Sequence, residues 1–177
     1  EFFNERIHTI RRPRPDDYQI KQAAELIKKS KNPIIISGGG IFYSDATKEL
    51  SQFAKKHNIP TAQTVMGYST MKKDDPYFIG AIGGFGGKAP NDFMKKTDLA
   101  ISIGTKLADF TTGSWSNFEN PNFKLVSINV SRFDANKHMA QSIIGDAKVS
   151  IQDLTRALGN WKSPDDWYKK SRIAVKT

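Results

Sequence analysis

Glycine-rich segments at the ends of strand-like apolar runs are the residues of this sequence best suited to chemistry. The apolar run at residues 34–36 leads into Ser37 and three glycines, and the run at 99–103 leads into Gly104. A third segment, residues 80–87, contains five glycines. Glycine where a parallel strand ends lets the backbone approach a phosphate or a ribose closely. The candidate nucleotide-binding residues are Gly38, Gly39, Gly40, Gly83, Gly84, Gly86, Gly104, Thr105 and Lys106.

These segments match the dinucleotide fingerprint G-x-G-x-x-G only in part. The match that begins at Gly38 fails at its last position, which Tyr43 occupies. Residues 84–89 fit G-x-G-x-x-A ahead of a predicted helix, but residues 77–79 before them make a poor strand. Two interpretations therefore stay open: a nucleotide site, or tight turns that allow close packing.

The remaining polar residues indicate no catalytic group and no metal site. His8, His57 and His138 lie far apart and lack the spacing of metal ligands. The chain has no cysteine, which excludes a disulfide and a thiolate metal site. No Ser-His-Asp order or pair of carboxylates stands out. We therefore assign no catalytic residue and no metal ligand.

Elements that would position the glycines alternate along the chain. The predicted strands cover residues 34–37, 61–65, 98–103, 124–130 and 142–144. The predicted helices cover residues 17–30, from Ser44 or Asp45 to His57, 89–96 and 148–158, with Asp16 and Asp146 as caps of the first and last. A helical fragment at 167–170 has little left to pack against. Such alternation predicts an α/β fold: an open, doubly wound, Rossmann-like parallel sheet of the NAD/FAD-binding type, with helices on both faces.

The segment between Gly104 and Lys124 is too long for a simple turn. It carries three large aromatic residues, Phe110, Trp115 and Phe118. Loops of this length are usually functional or form interfaces. We predict that Trp115 is partly exposed and contacts another domain or subunit; the alternative is that all three rings close the core of this domain.

Composition restricts partners and location. The net charge of +9 comes from dispersed lysine pairs, mostly near predicted helix ends, so we expect no nucleic-acid partner. No apolar run approaches the length of a membrane span, and no secretory signal is visible at the amino end. We expect a cytoplasmic protein that does not bind membranes.

Taken together, six segments resemble the central domain of thiamine-diphosphate-dependent enzymes, the group of acetolactate synthase, pyruvate oxidase and benzoylformate decarboxylase. They are residues 33–40, 54–61, 80–87, 97–106, 126–130 and 145–147. Their order and spacing cover about residues 17–158. Two further segments, 106–115 and 129–138, resemble the branch of this family that hydrolyses a carbon–carbon bond of a cyclic 1,2-diketone in myo-inositol degradation.

This resemblance implies a division of labour. Relatives bind thiamine diphosphate and Mg²⁺ between an amino-terminal and a carboxyl-terminal domain, both absent here, so we expect no cofactor in this chain. Gly145-Asp146-Ala147 lacks the third glycine of the metal-binding motif G-D-G, and Asn160 follows too early for its asparagine. Asn129 stands where relatives usually carry the aspartate that meets a ribose, which weakens a nucleotide site.

The domain prediction follows from the same resemblance. We predict an interdomain linker over residues 1–16, a central domain over 17–160, and the start of a linker to a further carboxyl-terminal domain over 161–177. The expected partners are other domains of the same polypeptide, in a homo-oligomer (a dimer or tetramer). Alternatives are a self-standing FAD-, NAD- or ADP-binding module, the central domain of an acetolactate synthase-like decarboxylase or carboligase, and a nucleic-acid-binding protein.

Overall fold

The computed structural model of the chain describes residues 4–5, 9 and 11–176. Within them the strands are β1 (Pro33–Ser37), β2 (Thr61–Gln63), β3 (Phe78–Ala81), β4 (Leu99–Ile103), β5 (Lys124–Asn129) and β6 (Gln141–Ile144). The α-helices are α1 (Asp17–Lys29), α2 (Gly40–Tyr43), α3 (Thr47–His57), α4 (Lys88–Met94), α5 (Asp109–Thr112), α6 (Arg132–Ala135), α7 (Ala147–Leu158) and α8 (Asp165–Lys176). Short 3₁₀ turns occupy Val65–Gly67 and Lys137–Met139.

In the described part of the chain, the strands form one parallel sheet in the order β3-β2-β1-β4-β5-β6. This is the strand order of dinucleotide-binding folds. The central strands β1 and β4 are buried along their whole length, as expected for strands covered on both faces. The predicted doubly wound α/β fold is therefore confirmed.

Helices cover both faces of the sheet. On one face α1, α3 and α7 bury a cluster that includes Ile27, Phe53 and Leu154. On the other face α4 and α8 contribute Phe93 and Trp167 to a second cluster. Alternate residues of the strands supply the two clusters, because successive side chains of a strand point to opposite faces.

Two strand predictions need correction. Strand β3 was missed, so the sheet has six strands in the described residues where five were expected. It is a short edge strand with a register shift opposite Thr61 and Ala62, and Gly80 has a φ of +113°. Strand β2 ends at Gln63, because the Thr64 hydroxyl accepts a hydrogen bond from Gly67 N and caps a 3₁₀ turn.

The prediction that Ser44 or Asp45 caps the second long helix is wrong. Helix α3 begins at Thr47, and the residue before it, Ala46, makes no side-chain cap. The Ser44 hydroxyl is used elsewhere: it donates to Asp146 Oδ1 (2.7 Å) and accepts from Lys148 N (2.8 Å). Caps by Asp16 and Asp146 are confirmed.

The carboxyl-terminal helix is better packed than predicted. The fragment expected over 167–170 belongs to the longer helix α8, which packs against α4 and β3. Trp167 is buried, stacks on Phe93 with ring centroids 4.0 Å apart, and donates its indole N–H to Pro33 O (2.7 Å). The expectation that it had little to pack against is wrong. The linker predicted over 161–177 stays a prediction, and the one over 1–16 lies partly outside the described residues.

Candidate functional site at the carboxyl edge of the sheet

The candidate site lies between β1 and β4, at the point where the strand order of the sheet reverses. In open α/β sheets this switch point, outside the carboxyl ends of the strands, is where ligands bind. A cavity of about 820 Å³ opens there. Of the predicted residues, those that line it are Gly39, Gly40, Gly104, Thr105 and Lys106. Asn129, at the end of β5, also lines it.

Close packing explains several of these glycines. A Cβ on Gly104 would lie 2.6 Å from Gly40 Cα, and Gly104 has a φ of +63°. A Cβ on Gly38 would lie 2.4 Å from Gly104 O, and Gly38 does not line the cavity. The turns after β1 and β4 are therefore pressed together, and their glycines are needed for the fold whether or not a ligand binds.

The glycines of the third segment, residues 80–87, do not line the cavity. Gly84 N donates to Phe110 O (2.9 Å), and a Cβ on Gly83 would lie 2.5 Å from the same oxygen. Gly86 N closes a turn onto Gly83 O. This segment packs against α5, and only its exposed aromatic residue, Phe85, reaches the cavity.

Asn129 is committed to the loops around it. Its Nδ2 donates to Thr105 O (3.2 Å), and its Oδ1 accepts from Ser131 N (2.9 Å). A carboxylate at this position would offer a charged acceptor to a ribose hydroxyl, whereas this amide already bonds the backbone at both ends. The geometry therefore gives Asn129 a structural role.

Two hydroxyls of the cavity wall also accept hydrogen bonds from the backbone. Thr105 Oγ1 accepts from Leu107 N (3.3 Å), and Ser131 Oγ accepts from Asp134 N (3.2 Å). A hydrogen bond from Lys137 lowers the pKa of Asp134, which stays ionised at neutral pH in an ion pair of 2.7 Å. Arg11 and Lys106 are exposed cations of this wall, and no ion pair holds either of them among the described residues. The charge of Lys106 also contributes to the lowered pKa of Asp134.

Six exposed apolar side chains line the cavity. We call them the apolar rim: Tyr43, Val65, Met66, Phe85, Phe110 and Val130. The rings of Phe85 and Phe110 lie 4.8 Å apart. Sequence reasoning about the glycines missed this rim, although large apolar residues next to turn glycines were a visible signal.

The three aromatic residues of the long loop have different roles. Phe118 is buried in the core. Trp115 is half-buried, which confirms the predicted partial exposure, and it stacks on His138 (4.2 Å) and Phe118 (4.6 Å). Phe110 is exposed on the rim. Of the three, Phe110 is thus the most accessible to a partner.

Asp146 does not fit a magnesium and diphosphate group. Its carboxylate accepts from Lys148 N (3.0 Å) and Ser44 Oγ (2.7 Å) and forms an ion pair of 3.2 Å with Arg12. These partners fix it as the cap of α7. Across the described residues, no group of three or more His, Asp or Glu side chains could hold a metal ion, and His8 lies outside them.

A membrane-spanning role finds no support in the helices. None that the structure describes is both long enough and apolar enough to cross a bilayer.

Comparison with known proteins identifies a family with which the observed α/β fold agrees. The family described as "Thiamine pyrophosphate enzyme, central domain" matches residues 20–154. The chain is similar to three relatives, each called a 3D-(3,5/4)-trihydroxycyclohexane-1,2-dione hydrolase. The one from Clostridium perfringens (strain 13) is 44% identical over 89% of this chain and 25% of its own length. The Clostridium botulinum relative is 43% identical over 99% of this chain and 28% of its own length.

The third relative, hydrolase 1 of Bacillus cereus, is 42% identical over 86% of this chain and 24% of its own length. The chain thus spans about a quarter of the length of the relatives it matches. Family match, identity and strand order lead to one conclusion: this chain belongs to the central domains of thiamine pyrophosphate enzymes.

Proposed function

We propose that this chain is the structural central domain of a longer enzyme that hydrolyses a carbon–carbon bond of 3D-(3,5/4)-trihydroxycyclohexane-1,2-dione. One observation carries the proposal: relatives with that name share 42–44% identity over most of this chain, but the chain spans only a quarter of their length. The parent is proposed to be a cytoplasmic homo-oligomer that uses thiamine diphosphate and Mg²⁺.

The chemistry is proposed to reside outside these residues. Cleavage of a carbon–carbon bond needs a nucleophile and a group that accepts the electron pair. In the candidate cavity, Thr105, Ser131 and Asn129 are held by backbone hydrogen bonds, and Asp146 is held by Arg12 and its own helix. These side chains suit a framework, and we assign the isolated chain no turnover.

A nucleotide-binding module is the second candidate function. The strand order and the position of the cavity favour it. The commitment of Asn129 to Thr105 and Ser131 opposes it. Purified chain that releases stoichiometric adenine nucleotide on denaturation would support this second function, because a chain that bound no nucleotide would release none.

The proposal is tested on the full-length parent, expressed from its complete reading frame. We expect hydrolysis of the trihydroxycyclohexanedione with thiamine diphosphate and Mg²⁺, and none after both are removed by dialysis against a chelator. Pyruvate serves as the matched alternative substrate, because an acetolactate synthase-like parent would consume it. Consumption of pyruvate with no hydrolysis of the diketone would contradict the proposal.

A further inference from the structure

The apolar rim is unusual for a surface that faces only water. Tyr43, Met66 and Phe85 are 80%, 73% and 78% exposed, and they follow three different strands, β1, β2 and β3. Contiguous apolar surface of this kind marks an interaction site more often than an ordinary face. Because the rim residues line a cavity, a partner that fills the cavity would bury their side chains together with its walls.

Charge at the rim indicates what the partner carries. Arg11 and Lys106 line the same cavity, and neither has a hydrogen bond or ion pair among the described residues. The hydroxyls of Thr105 and Ser131 and the amide of Asn129 each already bond the backbone. An apolar side chain next to a carboxylate would match the rim and these two cations.

The segment that leads into α1 is fixed beside this cavity. Arg12 donates to Ser44 Oγ (3.0 Å) and pairs with Asp146, and Asp146 N donates to Pro13 O (2.8 Å). These contacts fix the segment that enters the domain next to Arg11, on the cavity wall. Relatives are about 3.5 times as long as this chain, so most of such a polypeptide would lie outside it.

We propose that the carboxyl edge of the sheet is a docking socket for another part of the parent polypeptide. The occupant is a segment outside residues 1–177 that packs an apolar side chain on the rim, which includes Phe85 and Met66, and sets a carboxylate near Lys106. This inference rests on the proposed function in one respect only, namely that the chain is part of a longer polypeptide. It does not depend on the reaction.

Photo-crosslinking in the full-length parent tests the socket. Phe85 is replaced by p-benzoylphenylalanine, which keeps an aromatic ring at the rim. Tyr18, 69% exposed on α1, receives the same replacement as the matched control. After irradiation and digestion, mass spectrometry should find position 85 joined to one peptide from outside the 177 residues, and position 18 joined to none.

A charge at the rim supplies the second readout. Met66→Glu should reduce the crosslink yield at position 85 at least about tenfold, because its carboxylate would lose its water where the partner's apolar side chain packs and would compete with the partner's carboxylate for Lys106 and Arg11. Tyr18→Glu should leave that yield unchanged. Both variants should melt within a few degrees of the unmodified chain, since surface substitutions change stability little.

Three outcomes would overturn the inference: no crosslink at position 85 above the Tyr18 control, a crosslink only to residues 1–177 of a second copy, or stoichiometric adenine nucleotide released by the denatured parent. Hydrolase activity, measured on the same preparation, separates the two proposals. An inactive parent with the expected crosslink contradicts only the proposed reaction. An active parent without the crosslink contradicts only the socket.

Discussion

At the scale of single residues, His57 is a buried titratable group whose surroundings change its pKa. It is buried at the end of α3, its Nδ1 bonds Trp161 O (2.7 Å), and the Phe53 ring meets it edge-on at 4.8 Å. Nε2 is buried without a hydrogen-bond partner. Burial lowers the pKa of His57 from its ordinary value of 6.5; the bond to Trp161 opposes this change, and the charge of Lys56 adds to it.

The lowered pKa predicts acid sensitivity. Above pH 6.5 the ring is neutral in both the folded and the unfolded chain, and its contribution to stability is fully present. As the pH falls below 6.5, the unfolded chain binds the proton first, so the free energy of unfolding decreases by at most about 1.4 kcal/mol per pH unit for this one proton. Urea unfolding between pH 7.5 and 5 measures this slope.

The control for this prediction is His57→Gln, whose amide can donate to Trp161 O but does not titrate. The variant should lose stability less steeply than the unmodified chain in the same window, whatever its stability at pH 7.5. Equal slopes for the two proteins would show that His57 does not titrate differently on folding.

Gly104 is the residue whose replacement should disturb the candidate site most. In Gly104→Ala the new Cβ would meet Gly40 Cα at 2.6 Å, and the φ of +63° is strained for alanine. We expect a loss of about 2–5 kcal/mol, the sum of about 1–2 for left-handed backbone and about 1–3 for overpacking. Thermal melting and denaturant unfolding measure this loss.

Gly113→Ala is the matched control, because Gly113 has a similar φ of +60° but its nearest neighbour is the Ser116 hydroxyl, which can rotate away. It should lose only the backbone part, about 1–2 kcal/mol. If both variants lost the same amount, the contact between the turns after β1 and β4 would not be rigid.

At the scale of elements, α8 completes the second face of the sheet. Trp167→Ala removes a buried ring that stacks on Phe93, and we expect a loss of about 3–5 kcal/mol. Trp167→Phe keeps an aromatic ring but leaves Pro33 O without its donor, which should cost about 1–3 kcal/mol. Urea unfolding of the 177-residue chain measures both, and losses below about 1 kcal/mol for both would show that α8 is not part of the folded unit.

The elements also show what sequence patterns could predict. Strands β1 and β4 were found because a strand buried on both faces needs a continuous apolar run. Strand β3 was missed because its four residues include a glycine and its edge position requires no such run. The cap of α3 was assigned to Ser44 or Asp45 from local spacing, whereas the Ser44 hydroxyl bonds Asp146, a hundred residues away in the chain. Local rules cannot see such a contact.

At the scale of the whole molecule, the glycines after β1 and β4 predicted where the cavity lies, because glycine marks places where two turns approach closely. Whether the cavity suits a nucleotide could not be predicted in the same way, because this depends on hydrogen bonds of Asn129 that form only after folding. The apolar rim could not be predicted either. Its six residues come from five separate parts of the chain, and only the sheet brings them to one edge.

The fold also explains why docking is proposed at an edge. Helices cover both faces of the sheet, and their buried apolar side chains form the two clusters. At the carboxyl edge, six exposed apolar side chains line one cavity. A domain that docks through this edge, as proposed, supports the rest of an enzyme without contributing a catalytic group.

Calorimetric titration of the 177-residue chain with thiamine diphosphate and MgCl₂ tests the central claim most directly, namely that this domain supports an enzyme but holds neither half of its cofactor site. The full-length parent, titrated in the same buffer, is the positive control. We predict no binding heat above dilution for the chain and a saturable isotherm for the parent. A stoichiometric isotherm for the chain alone, with a dissociation constant in the micromolar range, would contradict the account.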